Sequence, residues 1–251
     1  STQPNTLFPY RRSSDLVEEA GWAVVVVTDG DGAAAESIAD ELADMAWGMR
    51  HRFMEQENLG TDDAIAFADD PARGTVLLSD TGDSVLGGSP GDSTVILRAL
   101  LATPLRHRAL VPLTDPVAAR RLSVLGDGDA VDLEIGGWST SFSSPVRVTG
   151  TRRAARSGPV TLAGLPQGTV DMGAAAILDL GHVTVLVTEH PGVGGIHPGV
   201  YRALGVEPAD YKMIVMKTAS NFQYMRDITP TFVRVASPGP TQSDVLSLPW
   251  S

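Results

Sequence analysis

The sequence predicts a mixed α/β fold, with strand–helix units of parallel type around an antiparallel, strand-rich middle. Three observations predict it. Unbroken apolar runs, as over residues 21–28 and 212–217, suit strands buried on both faces of a parallel sheet. Apolar residues at helical spacing follow such runs, as at Ile38, Leu42, Met45, Met49 and Phe53. Between residues 130 and 188 the pattern changes to short strands closely punctuated by Gly, Ser and Pro, which argues antiparallel pairing or a small barrel.

In chain order, residues 1–16 do not read like the rest. Thr6-Leu-Phe-Pro and Arg11-Arg-Ser-Ser-Asp-Leu16 resemble a translated adapter, an artefactual or disordered terminus of which no function is expected. Residues 17–57 supply a buried strand over 21–28 and a helix over about 33–54. Asp31 is its cap, and Glu36, Asp40 and Asp44 line its polar face. Residues 58–73, with Asp62-Asp63 and Asp69-Asp70-Pro71, read as a linker to a second domain over 74–251. That domain opens with a strand over 75–78, a loop containing Gly82, Gly87, Gly88 and Gly91, and a helix over 94–101 capped by Asp92 or Ser93. Arg106-His-Arg108 is a small basic patch, and a short strand follows over 110–113. Asp115-Pro116 then starts a helix that ends at Gly126. Strands are expected over 130–135, 146–149, 160–163, 174–180 and 183–188, with a hairpin turn at Leu180-Gly-His182. Arg152, Arg153 and Arg156 read as a solvated strand edge. The end returns to α/β, with a helix over 198–204 closed by Gly205, a strand over 212–217, helix over 218–226 and a last strand over 231–236.

Composition narrows the function classes. The chain has 251 residues, 43% apolar and 20% charged, ordinary for one or two globular domains. Cysteine is absent, which removes disulfides and thiolate zinc sites and fits a cytoplasmic setting. A formal net charge of −11 argues against nucleic acid or an anionic membrane surface as partner. The apolar runs fall short of the ~20 residues that span a bilayer.

The glycine loop carries the first chemical signal. Such a loop, ending at a helix N-terminus, aims free backbone N–H groups at one point, where an anion or a developing oxyanion is the expected guest. Gly87, Gly88, Ser89, Gly91, Asp92, Ser93 and Thr94 are therefore the candidate substrate contacts. Lys217 ends an apolar strand, where α/β clefts form, and Asn221 follows one turn later. Lys217 is placed to hold a substrate carboxylate, and Asn221 an amide or carbonyl.

Other motifs fail on physics. In Gly30-Asp-Gly-Ala-Ala-Ala35, a dinucleotide pattern, Asp29 and Asp31 would repel the pyrophosphate. Gly87-Gly-Ser-Pro-Gly91 fits a nucleophile elbow, but Pro90 has no N–H for the oxyanion. Asp92 stands where a P-loop has its lysine. His182, Glu189, His190 and His197 match no metal-ligand spacing. No catalytic residue and no metal ligand is assigned.

Gly87-Gly-Ser-Pro-Gly-Asp-Ser-Thr94 with Leu97-Arg-Ala-Leu-Leu101, then Gly136-Gly137, residues 204–222 and Ser237-Pro-Gly-Pro240 together resemble the microcystinase-type (MlrC) metallopeptidase family. The resemblance runs from about Glu18 to Trp250 and implies the end of an N-terminal catalytic domain followed by the C-terminal domain. It further implies peptide substrates and a zinc ion whose ligands belong to the N-terminal domain, missing here. This chain would then be a truncated fragment that walls the substrate cleft, inactive alone. Two alternatives stay open: a non-catalytic interaction or homo-oligomerisation module, and an anion- or sugar-phosphate-binding protein built on the glycine loop.

Overall fold

The computed structural model describes residues 23–52, 57–165 and 168–243, in two units divided between Gln56 and Glu57. In the first unit Asp31 caps helix α1 (Gly32–Gly48), its carboxylate accepting the Ala34 amide at 2.9 Å. Two expectations change here. Residues 23–28 form no strand, and Val25 and Val27 are exposed. A β-branched run becomes a strand only where a neighbour takes up its N–H and C=O groups. The helix also stops at Gly48 rather than Met54, since glycine is a poor helix former. Residues 1–16 and Phe53 lie outside the described residues.

The second unit contains β1 (Asn58–Leu59), α2 (Thr61–Ala68), β2 (Val76–Asp80), α3 (Val95–Ala102), β3 (Ala109–Thr114), α4 (Pro116–Ser123), β4 (Ala130–Ile135), β5 (Val146–Arg156), β6 (Pro159–Thr161), β7 (Thr169–Asp171), β8 (Ala175–Asp179), β9 (Val183–Thr188), α5 (Pro198–Arg202), β10 (Met213–Met216) and β11 (Phe232–Val235). One mixed sheet runs β1-β11-β2-β10-β3-β9-β8-β5-β4, and β6 pairs with β7 apart from it. From β1 across to β9 every pairing is parallel. From β9 across to β4 every pairing is antiparallel. Apart from the β6–β7 hairpin, the strand-rich middle is thus the antiparallel half of the same sheet, not a barrel.

Alternation sorts the side chains of the central strands onto two faces. On one face Val76, Leu78, Val111, Val185 and Val215 pack under α2, α3 and α4 through Ile65, Leu97, Leu100 and Leu122. On the other, Leu77, Leu110, Leu186 and Ile214 meet Val200 and Tyr201 of α5 and Val160 of the small hairpin. Central β2, β3, β9 and β10 are buried along their whole length, whereas edge strand β4 alternates exposed and buried.

Two further expectations are corrected. Residues 58–73 are not a linker: β1 joins the sheet, and α2 buries Ala64, Ile65 and Ala68. The acidic residues that make this stretch look like a linker have structural partners. Asp62 and Asp63 occupy the first turn of α2, where the helix dipole favours negative charge. The Asp69 carboxylate accepts the amides of Arg106 and His107. Residues 218–226 hold only a single turn over Gln223–Met225. The Thr218 hydroxyl takes the Asn221 amide at 3.1 Å, a local bond that competes with helix.

Replacing Ile65, 1% exposed, by alanine is expected to cost about 2–5 kcal/mol in urea denaturation. A linker position would change stability by less than about 0.5 kcal/mol.

Candidate functional site

Chain order places β3 next after β2 and α3, yet β10 inserts between them in the sheet. Such a switch point puts the carboxyl ends of neighbouring strands around a crevice. Met216 pairs with Ser79, so the next residues, Lys217 and Asp80, emerge side by side. Both are buried.

A lysine in that position needs a partner for each of its three N–H groups. Its ammonium lies 2.8 Å from the Asp80 carboxylate and 3.0 Å from Asp83, and donates to the Ser93 carbonyl at 2.7 Å. Asp80 also accepts from the Ser237 hydroxyl. Asp83 accepts the Ser89 hydroxyl at 2.7 Å, the Gly91 amide at 2.8 Å and the Ser93 amide at 2.8 Å. Burial raises the Asp83 pKa, but the Lys217 charge, the Ser89 hydroxyl and the Ser93 amide together hold it below the ordinary carboxylate value. Burial likewise disfavours charged Lys217, and the carboxylates of Asp80 and then Asp83 more than offset that, so its pKa is raised.

The loop does gather N–H groups around negative charge, as its glycines predict. The guest is the chain's own Asp83. Asp92 plays the same part on the outer side, its carboxylate accepting the Trp138 and Ser139 amides at 2.9 and 2.7 Å and its carbonyl the Gly137 amide. The Asp115 carboxylate caps α4 and also accepts the Gly136 amide and the Trp138 indole N–H. Thr94 donates to the Ser144 carbonyl at 2.7 Å. Gly91, at φ +79°, passes so close to Thr114 that a Cβ there would stand 2.7 Å from its hydroxyl. Below the loop the space is only about 10 Å³, enough for at most one water.

Of the residues expected to touch substrate, Lys217, Ser89, Gly91, Asp92, Ser93 and Thr94 are buried, and their polar groups bind one another or neighbouring loops. The expectation that Lys217 grips a substrate carboxylate gives way to this geometry: a saturated, 1% exposed ammonium has no donor left. A phosphate cradle loses its basis for the same reason, since the Gly91 and Ser93 amides already serve Asp83. Gly87 and Gly88 remain exposed on the rim. Asn221 is half-buried, its amide 3.4 Å from the Thr218 hydroxyl. Asp80, Asp83 and Ser237 are members of the network that sequence reasoning missed. Ser79-Asp80, polar residues at the end of an apolar strand, were the available signal. Exposed Trp138, on the loop after β4, had none.

His190 and His197 do not converge on a ligand. His197 caps α5, accepting the Gly199 amide at 2.9 Å, and its other ring nitrogen meets the Ala163 carbonyl. Among the described residues no group of three or more His, Asp or Glu is arranged to hold a metal ion. No helix among them is long and apolar enough to cross a membrane.

Comparison with known proteins gives a consistent picture. Residues 78–251 match the family model described as MlrC C-terminus. Microcystinase C from Sphingomonas sp. is 27% identical over 230 residues, covering 88% of this chain and 44% of the relative. The crystal structure of a candidate metallopeptidase from Mesorhizobium sp. BNC1 superposes with a TM-score of 0.74 at 30% identity, over 89% of this chain and 45% of that one. The chain therefore spans less than half the length of either.

The buried cluster predicts a pH signature. Asp83 titrates below 3.8 and Lys217 above 10.5, so the cluster stabilises the fold between those values. That stability is lost as acid protonates Asp83 or as alkali deprotonates Lys217. Lys217→Met is expected to cost about 3–5 kcal/mol at neutral pH in urea denaturation. The gap to wild type should narrow as pH falls to 3.8 and below, because Asp83 then takes up a proton in both proteins. A gap independent of pH would count against the pairing.

Proposed function

This chain belongs to the MlrC family, and from that premise we propose that it forms the substrate-facing C-terminal part of a zinc-dependent peptidase. The observation that carries the reading is the family match over residues 78–251, together with the meeting of the motif stretches. Gly87–Thr94, Gly136-Gly137, Lys217 and Ser237 all join the network of hydrogen bonds at the carboxyl end of the sheet.

In this reading Gly87, Gly88 and Asn221 line the cleft against a small or linearised peptide. Bare glycine backbone lets an extended chain approach closely, and Asn221 offers an amide to a peptide carbonyl. Ser89, Gly91, Asp92, Ser93, Thr94 and Lys217 hold the rim in shape. The family resemblance assigns zinc ligands and catalytic base to the part of the longer relatives that this chain does not match. A zinc ion held there would supply Lewis-acid chemistry for peptide-bond hydrolysis, and no residue of this chain is assigned to hold it. A cytoplasmic setting, which the absence of cysteine fits, belongs to the same proposal, and the acidic surface offers a platform for homo-oligomerisation.

The test has two arms. The purified chain with added zinc is expected to leave peptides uncleaved; zinc-dependent cleavage would overturn the division of labour. In a chimera whose N-terminal part comes from Microcystinase C, ahead of residues 57–251, Asn221→Ala is expected to raise KM by about tenfold with unchanged Tm. An unchanged KM removes Asn221 from the rim, and a folded, zinc-loaded chimera without activity rejects the cleft reading.

A further inference from the structure

The opposite end of the sheet, where β3, β9 and β10 begin, holds a groove of about 780 Å³. Arg108 just before β3, Thr184 on β9 and Tyr211 just before β10 meet there, with Arg153 and Asp179 on one side and Leu204 and Val206 on the other. Arg108 is exposed but fixed in place. Its guanidinium stacks 4.7 Å from the centre of the Tyr211 ring and donates to the hydroxyls of Thr184 at 3.1 Å and Tyr211 at 3.3 Å.

Two features of this arrangement are incomplete. The first is a proton. The Tyr211 and Thr184 hydroxyls share one hydrogen bond at 3.1 Å, and each already accepts from Arg108. Two hydroxyls carry two protons, and only one lies between them. Among the described residues the other has no protein acceptor, although Thr184 is 1% and Tyr211 5% exposed. The second is charge. Arg153 is neutralised by Asp179 at 2.7 Å. Arg108 has no carboxylate within ion-pair distance among the described residues. Among the groove's lining residues two guanidiniums face one carboxylate, leaving a single positive charge in a chain of net charge −11.

We propose that this groove binds a small monocarboxylate with an apolar body. One carboxylate supplies both missing partners, an acceptor for the free hydroxyl proton and a negative charge for the Arg108 fork. A single uncompensated charge suits a monoanion better than a phosphate dianion. Leu204 and Val206 give the apolar body a surface. The site is independent of the glycine rim and stands whether or not the peptidase reading holds.

Isothermal titration of the purified chain with N-acetyl-leucinate tests this, with N-acetyl-leucinamide and inorganic phosphate as comparisons. Saturable binding of the carboxylate is expected, with the neutral amide weaker by about tenfold or more. Arg108→Met, checked for folding by its thermal melt, should weaken binding by about tenfold. Thr184→Val, which keeps the arginine and removes the hydroxyl, should weaken it severalfold, and it decides the matter if Arg108→Met does not fold. No saturable binding, equal binding of the amide, binding unchanged by the variants, or phosphate binding more tightly than the carboxylate would each overturn the assignment.

Discussion

A buried ammonium between two buried carboxylates is the constraint around which the second unit is organised. Removing Lys217, Asp80 and Asp83 from water is costly, and only close pairing with full hydrogen bonding offsets it. Every polar atom of the cluster is therefore fixed by something specific: Ser237 on Asp80, Ser89 and two amides on Asp83, the Ser93 carbonyl on Lys217. These contacts bind the ends of β2 and β10, the glycine loop and the stretch after β11 to one another. A shift of β10 by one residue along β2 would turn the lysine away from both acids and leave three buried charges unpaired, so the cluster also specifies the strand register.

This arrangement changes what the glycine loop offers a ligand. An anion-seeking loop with a free centre would recruit charge from solution. Here the centre is filled by Asp83, and the loop exposes backbone at Gly87 and Gly88 instead of charge. The aromatic loop at Trp138 is locked to the same frame through Asp92 and Asp115.

The two ends of the sheet differ in how their charges are balanced. At the carboxyl end, Lys217 is enclosed by Asp80 and Asp83, and its donors are saturated. At the amino end, Arg108 is oriented by neutral hydroxyls and an aromatic ring, which fix its direction without neutralising it.

Most of the secondary structure, and the family, are legible in the chain alone. The apolar runs marked β2, β3, β9 and β10, because strands buried on both faces have no polar positions. Asp115-Pro116 marked a helix start, because a cap and a proline act locally. Packing in three dimensions settles that residues 61–68 are a helix, that residues 23–28 have no strand partner among the described residues, and that the loop's anion is Asp83 rather than a ligand. Propensity and capping act over a few residues, whereas burial, strand pairing and ion pairing join positions more than a hundred residues apart, as Lys217 and Asp80 are, and leave no periodic trace in the chain.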